Sequence, residues 1–141
     1  MPLTIETART IVAASLKKGG ELGLKPLTVA VLDAGGALVA LERQDGASRM
    51  RPEIAIGKAN GAVALGMGSR AIFARAEQQP FFIQSMNALA GGSLVPVPGG
   101  VLIREGGTIV GAVGITGDTS DNDEAAAVAG IEAAGFMADA G

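Results

Sequence analysis

The stretch LTVAVLDAGGALVALERQ (residues 27–44) contains two apolar runs that are separated by a short glycine turn. The dense β-branched content of residues 27–33 predicts a strand that is buried on both faces, and residues 37–44 predict the returning strand. Gly35 and Gly36 suit the turn between them, because glycine adopts the positive φ that tight hairpins need. This hairpin predicts an antiparallel sheet and raises the question of whether it also carries a site.

Apolar periodicity and capping signals on either side of the hairpin predict helices and further strands. In chain order they are a helix over 4–22, a helix between Pro52 and Gly66, short helices over 70–78 and 80–89, strands within 94–98, 100–105 and 108–116, and a last helix from Ser120 to about 140. Thr4 is the predicted N-cap of the first helix, and Ser120 with Asp123 predicts a capping box on the last. Hairpins interspersed with helices indicate an α+β fold. The length of 141 residues predicts one domain over 1–141.

The composition excludes several kinds of chemistry, because the chain contains no His, Cys, Trp or Tyr. Cysteine and histidine nucleophiles, a histidine general base and a zinc site of soft ligands are therefore ruled out. A haem would have methionine as its only common axial ligand. Any acid–base chemistry has to use Asp, Glu, Lys, Arg or a hydroxyl group.

Charge and hydropathy limit the partners. The net charge of −3 argues against a nucleic-acid ligand, since nucleic-acid-binding domains usually carry a basic face. No apolar run approaches the ~20 residues of a membrane span. Glu6 and Arg9 interrupt the N-terminal stretch where a signal peptide is apolar, which predicts a cytoplasmic protein.

Four segments occur in an order that resembles one protein family. They are VAVLDAGGALVALERQDGA (29–47), IAIGKANGAVALG (54–66), LVPVPGGVLIREGGTIVGAVGITG (94–117) and DNDEAAAVAGI (121–131). On these segments the chain resembles the GlcG-like family, also called haem-binding or haem-degrading proteins, which is related to the C-terminal domain of PduO-type cobalamin adenosyltransferases. The resemblance covers about residues 4–137.

The resemblance implies a five-stranded antiparallel sheet with helices on both faces, in a profilin-like three-layer arrangement. It also implies a homo-oligomer and a small-molecule ligand, with haem or another tetrapyrrole as the candidate cofactor. Many members carry a histidine after the paired glycines, whereas this chain has Ala37 there. A haem-ligand role through imidazole is therefore not carried over to this protein.

Lys58 is the first candidate site residue, because it matches a Lys-Ala pair of the family and lies in a helix of small residues. If that helix is buried, Lys58 must be paired with an acid or have a lowered pKa. The structural alternative is a lysine that extends past the small residues to solvent. Asp123 and Glu124 match the acidic pair of the family, and we expect Glu124 to face Lys58 or Arg43. The prediction is a catalytic acid–base pair of Lys58 and Glu124 at the mouth of the main pocket.

The predicted ligand-binding residues form a larger set, and no metal ligands are predicted. The set comprises Asp33, Gly35, Gly36, Arg43, Lys58, Gly117, Asp123 and Glu124. Asp33 has a structural alternative, an Asx turn that closes the hairpin. The acids of residues 118–124 also have alternatives, since they suit the dipole of the last helix or a hard cation such as Mg²⁺ or Ca²⁺.

Small and aromatic residues predict packing surfaces. Gly57 and Gly61, one turn apart, indicate close packing against a sheet or a second subunit. Phe73, Phe81 and Phe82 are predicted as core or interface residues.

Three functions remain open from the sequence. The first is a small-molecule binding protein accessory to a catabolic pathway, with haem or another tetrapyrrole as its ligand. The second is an enzyme that acts on a small carboxylate-bearing catabolic intermediate through a Lys and carboxylate pair. The third is a structural oligomer without chemistry.

Overall fold

A computed structural model describes residues 2–141 and contains five helices and five strands within that range. In chain order these elements are α1 (Ile5–Glu21), β1 (Thr28–Asp33), β2 (Leu38–Arg43), α2 (Arg51–Leu65), α3 (Ser69–Gln78), α4 (Pro80–Leu89), β3 (Gly100–Glu105), β4 (Thr108–Thr116), α5 (Ser120–Ala133) and β5 (Met137–Asp139). The predicted α+β class is confirmed.

The five strands form one antiparallel sheet in the order β2-β1-β4-β3-β5. Helices α1 and α5 pack together and cover one face, where Val29, Val31 and Ile115 belong to the larger apolar core. Helix α2 covers the other face, against Leu32 and Ala112. Helices therefore lie on both faces of the sheet, as the resemblance implied.

Local signals explain where the first helix begins. The Thr4 hydroxyl accepts a hydrogen bond from the Thr7 backbone N–H, and the Thr7 hydroxyl accepts one from the Thr4 N–H. This reciprocal capping satisfies two of the free N–H groups at a helix N-terminus. The predicted helix over 4–22 and its Thr4 cap are confirmed.

Two predictions at the C-terminal half are wrong. Leu94–Pro98 forms no strand, because its prolines lack ladder donors and the Val95 N–H bonds instead to the carbonyl of Gly57. The fifth strand is β5, which pairs with β3 after the last helix ends early at Ala133. Gly135 adopts a φ of 88°, the left-handed conformation that commonly ends a helix, and the sequence prediction overlooked it.

The cap of the last helix also differs from the prediction. Thr119, not Ser120, is the N-cap, and its hydroxyl accepts a hydrogen bond from the Asn122 N–H. Ser120 is the first helical residue instead.

The small residues of α2 allow it to approach its neighbours closely. A Cβ at Gly114 on β4 would collide with the carbonyl oxygen of Ala55 on α2. Gly57 and Gly61 face Val95 and Leu94 of the same chain. Their close packing is therefore within the chain and against the segment that follows α4.

Candidate functional site

Lys58 lies beneath the surface at the interface of α2 and the sheet. Its side chain is 2% exposed, and its Nζ donates to the Ile115 carbonyl at 2.9 Å and to Asp123 Oδ2 at 3.2 Å. Burial lowers the pKa of Lys58, while the Asp123 carboxylate opposes that shift. Lys58 is thus paired with an acid and does not extend to solvent.

Asp123 occupies the first turn of α5 and completes this buried pair. It is 1% exposed, and its second oxygen, Oδ1, accepts a hydrogen bond from the Asp118 N–H at 2.9 Å. Burial raises the pKa of Asp123, and the Lys58 charge acts in the opposite direction. The carboxylate joins α2 to the loop before α5.

The expected contact of Glu124 with Lys58 or Arg43 is wrong. Glu124 forms a bidentate pair with Arg70, with Nε to Oε1 and Nη2 to Oε2 both at 3.0 Å. Successive helical residues point about 100° apart, so Asp123 faces the sheet while Glu124 faces α3. The predicted catalytic pair of Lys58 and Glu124 is therefore not assembled, and Lys58 does not lie at a pocket mouth.

The acids of residues 118–124 are each held by protein groups. Asp118 accepts hydrogen bonds from the Asn122 side chain and from the Lys25 and Thr119 N–H groups, which lower the pKa of Asp118 to about 2. Asp121 pairs with Arg70. Within residues 2–141, no group of three or more acidic side chains is arranged to hold a metal ion.

The predicted site residues of the hairpin stabilise the turn between β1 and β2. Asp33 Oδ1 accepts hydrogen bonds from the Gly35 N–H at 3.0 Å and the Ala37 N–H at 2.9 Å. Gly36 adopts a φ of 84°. This is the Asx-turn arrangement that was the structural alternative for Asp33. Asp33 ends β1 and Thr28 begins it, so the turn lies roughly 17 Å from Thr28, the length of a six-residue strand.

Arg43 and Gly117 lie at that other end of the sheet, beside two adjoining pockets. One, of about 480 Å³, is lined by Leu24, Pro26, Arg43, Gln44 and Asp45. The other, of about 220 Å³, is lined by Lys25, Pro26, Gly46, Ala47, Ser48, Arg51 and Gly117. Because both pockets share Pro26, we call them together the Pro26 cleft.

Arg51 and Lys25 are cleft residues that the sequence prediction missed. The Arg51 guanidinium donates from Nη1 to the Thr116 hydroxyl at 2.7 Å and from Nε to the Ser48 hydroxyl at 3.2 Å. A signal was present, because an arginine in the first turn of a helix opposes the helix dipole. Such a cation is expected to be placed there for a contact outside the helix.

The predicted site is therefore divided among four places. Arg43 and Gly117 line the Pro26 cleft, whereas Lys58 and Asp123 form the buried pair. The remaining predicted residues lie elsewhere, in the hairpin turn and on the outer side of α5, namely Asp33, Gly35, Gly36 and Glu124.

Comparison with known proteins gives the family. The profile described as "Haem degrading protein HbpS-like" matches residues 3–132. The chain belongs to the HbpS-like family. Among curated proteins, none matches this HbpS-like chain. None of its helices within residues 2–141 is long and apolar enough to cross a bilayer.

Solved structures share the fold over nearly the whole chain. The PduOC:haem complex superposes with a TM-score of 0.86 at 23% identity, covering 96% of this chain and 97% of that one. Klebsiella pneumoniae ORFY gives a TM-score of 0.85 at 25% identity, covering 94% and 90%. A double mutant of Streptomyces reticuli HbpS gives 0.80 at 26% identity, covering 94% and 86%.

Proposed function

We propose that this HbpS-like protein binds a small molecule that carries carboxylate groups, with a tetrapyrrole acid as the first ligand class to test. The observation that carries the proposal is the family match over residues 3–132, to a family described by haem degradation. A relative with the same fold was solved as a haem complex. An accessory role in a catabolic pathway, in the cytoplasm and as a homo-oligomer, is part of the same proposal.

The residues present do not fit a haem that is held through its iron. The chain has no histidine, cysteine or tyrosine. The methionines within residues 2–141 lie outside the lining of the Pro26 cleft, at Met50, Met67, Met86 and Met137. In this proposal the protein therefore recognises the carboxylate groups and the macrocycle of the ligand and does not coordinate its iron.

The Pro26 cleft suits an acidic ligand in its charge. Lys25, Arg43 and Arg51 line it, against the single carboxylate of Asp45, although the chain as a whole is negative. A local concentration of one charge attracts ligands of the opposite sign. Leu24 and Pro26 add apolar lining to the cleft.

An enzyme that uses Lys58 as an acid or base receives less support. The Lys58 amine is buried, its two hydrogen bonds go to Ile115 and Asp123, and it lines neither pocket of the Pro26 cleft. A general acid or base has to reach its substrate within hydrogen-bond distance. The binding function is therefore the better-supported of the two.

The test is a titration of the tag-free protein with haemin and with metal-free protoporphyrin, followed by absorbance and calorimetry. We expect both to bind with affinities within about threefold of each other, because ligand recognition by acidic groups does not depend on iron. Removal of the tag matters because a histidine tag supplies imidazole. Failure of both porphyrins to bind would contradict the tetrapyrrole part of the proposal, and a six-coordinate spectrum with two nitrogen ligands would contradict binding without an iron ligand.

Matched variants locate the ligand. Arg43→Met removes a cleft cation, whereas Arg49→Met removes an exposed arginine nearby that lines neither pocket. We expect Arg43→Met to weaken porphyrin binding and Arg49→Met to leave it nearly unchanged. Equal effects of the two variants would place the ligand elsewhere.

A further inference from the structure

A row of polar side chains crosses three strands beside the Pro26 cleft, which is lined by one of them, Arg43. Thr28 on β1 lies opposite Arg43 on β2 and opposite Thr116 on β4 in the strand register. Directly opposed residues of an antiparallel pair project from the same face, with Cβ atoms roughly 4.5–5.5 Å apart. The three side chains are therefore neighbours on the α2 face of the sheet.

Arg51 at the start of α2 adjoins this row through its hydrogen bond to the Thr116 hydroxyl. A guanidinium has five N–H donors, and two of them are used, toward Thr116 and Ser48. The other donors have no acceptor, and Arg51 has no carboxylate partner, within the described part of the chain. Half-buried and lining the cleft, Arg51 offers these donors to a ligand.

Thr28 supplies a second, independent observation. It is fully buried, yet its hydroxyl has no hydrogen-bond partner among residues 2–141. Buried polar groups are nearly always paired with protein, water or ligand. This unpaired hydroxyl lies opposite Thr116, to which Arg51 donates, and it therefore indicates a partner that the chain itself does not provide.

We propose that this corner is a carboxylate subsite, with Arg51 as the charged donor and Thr28 as a hydroxyl donor. The inference rests on the proposed function in taking the Pro26 cleft as the ligand site. It adds which group of the ligand is recognised and which residues recognise it. Arginine suits this role because its planar fork matches the two oxygens of a carboxylate.

Two carboxylates near the cleft limit how strongly it can favour a doubly charged anion. Asp118 accepts a hydrogen bond from the backbone of Lys25, which lines the cleft, and Asp45 lines the adjoining pocket. These two carboxylates oppose part of the attraction that Lys25, Arg43 and Arg51 exert on an anion, and they oppose it more strongly for a phosphate dianion than for a carboxylate with one charge. We therefore assign the subsite to a carboxylate, and phosphate is the alternative that the titration compares.

The first test is an NMR titration of the tag-free, full-length protein with acetate, propionate and inorganic phosphate. We expect saturable binding of both carboxylates, with phosphate binding more weakly. Arg51→Met should weaken propionate binding by about tenfold or more, the size of one charge-assisted hydrogen bond, while Arg49→Met changes it less than about twofold. Where Arg51→Met fails to fold, Arg51→Lys keeps the charge and should still weaken binding, because the fork is lost.

The second test uses Thr28→Val, which keeps the side-chain shape and removes the hydroxyl. We expect a higher unfolding temperature without ligand, because an unpaired buried hydroxyl is replaced by a methyl group, together with weaker propionate binding. A higher unfolding temperature with unchanged propionate binding would show that the hydroxyl does not contact the ligand, which would remove Thr28 from the proposal.

Several outcomes overturn the inference, and they differ from failure of the proposed function. Absence of saturable carboxylate binding overturns it even where porphyrins bind. Equal effects of Arg51→Met and Arg49→Met overturn the role of Arg51, and tighter binding of phosphate overturns the carboxylate assignment. Carboxylate binding without porphyrin binding supports the subsite and contradicts only the tetrapyrrole part of the proposed function.

Discussion

Among residues 2–141, Lys58 and Asp123 are the two charged side chains that are buried. Each is tied to backbone as well as to the other, Lys58 to the Ile115 carbonyl and Asp123 to the Asp118 N–H. Removing one member of such a pair leaves the other charge buried and unpaired, which costs much more than the net contribution of the intact pair. The pair is therefore expected to hold α2, β4 and the start of α5 together.

We expect Lys58→Met to lower the free energy of unfolding by about 3–5 kcal/mol at neutral pH, because it leaves Asp123 buried without a cation. The double variant Lys58→Met with Asp123→Asn should recover part of this loss, since the amide oxygen can still accept from the Asp118 N–H. Urea denaturation followed by circular dichroism measures both. A loss below about 0.5 kcal/mol for Lys58→Met, as at surface positions, would mean that the charge is not buried.

The sequence identified Lys58 and Asp123 as candidate residues, but it did not identify them as partners of each other. The small residues around Lys58 left two alternatives for its charge, an acid partner or exposure to solvent, and the structure shows the acid partner. Whether Asp123 or Glu124 becomes the partner of Lys58 depends on the rotation of α5 about its axis. That rotation is set by Thr119 as the N-cap, where the adjacent Ser120 carries the same capping signal, and by packing on α1, which a local pattern does not determine.

At the scale of elements, the contact of α2 with the sheet depends on residues without side chains. We expect Gly114→Ala to cost about 3 kcal/mol or more, the upper end for overpacking, because the added methyl meets the rigid carbonyl of Ala55. Gly20→Ala in α1 is the matched control, since nothing lies within 4 Å of its Cβ position, and it should gain about 0.5 kcal/mol. Thermal unfolding that moves both variants in the same direction would contradict the packing argument.

Elements that carry local sequence signals could be predicted, and elements that depend on a neighbouring element could not. Helix α1 and the β1–β2 hairpin carry their own signals, namely a capping threonine, strong periodicity and a glycine turn. Strand β5 is three residues long and exists because β3 offers it an edge. The residues of this strand carry no strand pattern of their own, and the sign in the sequence that the helix ends before them is Gly135, which adopts the left-handed conformation.

At the scale of the whole molecule, an apolar surface on α3 and α4 remains uncovered. The side chains of Phe81 and Leu89 are 82% and 81% exposed, and Phe73 and Phe82 lie partly exposed nearby. These phenylalanines are therefore not core residues. Large exposed apolar groups at this density mark an interaction surface, and a second copy of the chain is the partner that the resemblance implies.

We expect sedimentation equilibrium at micromolar concentration to give a multiple of the 13.9 kDa chain mass. The variant Phe81→Ser with Leu89→Ser should shift the protein toward the single-chain mass, because it removes apolar area from the contact. Leu38→Ser, at an exposed leucine on β2, is the control and should leave the mass unchanged. A wild-type species of single-chain mass would contradict the prediction.

The bond between Lys58 and Asp123 also has a kinetic consequence. The two residues are 65 positions apart and belong to helices on opposite faces of the sheet, so their contact can form only after both layers have docked. Interactions that form after the transition state slow unfolding and leave the folding rate nearly unchanged. The stability lost in Lys58→Met should accordingly appear in the unfolding limb of a chevron plot, and a slower folding limb would instead mean that the two helices dock early.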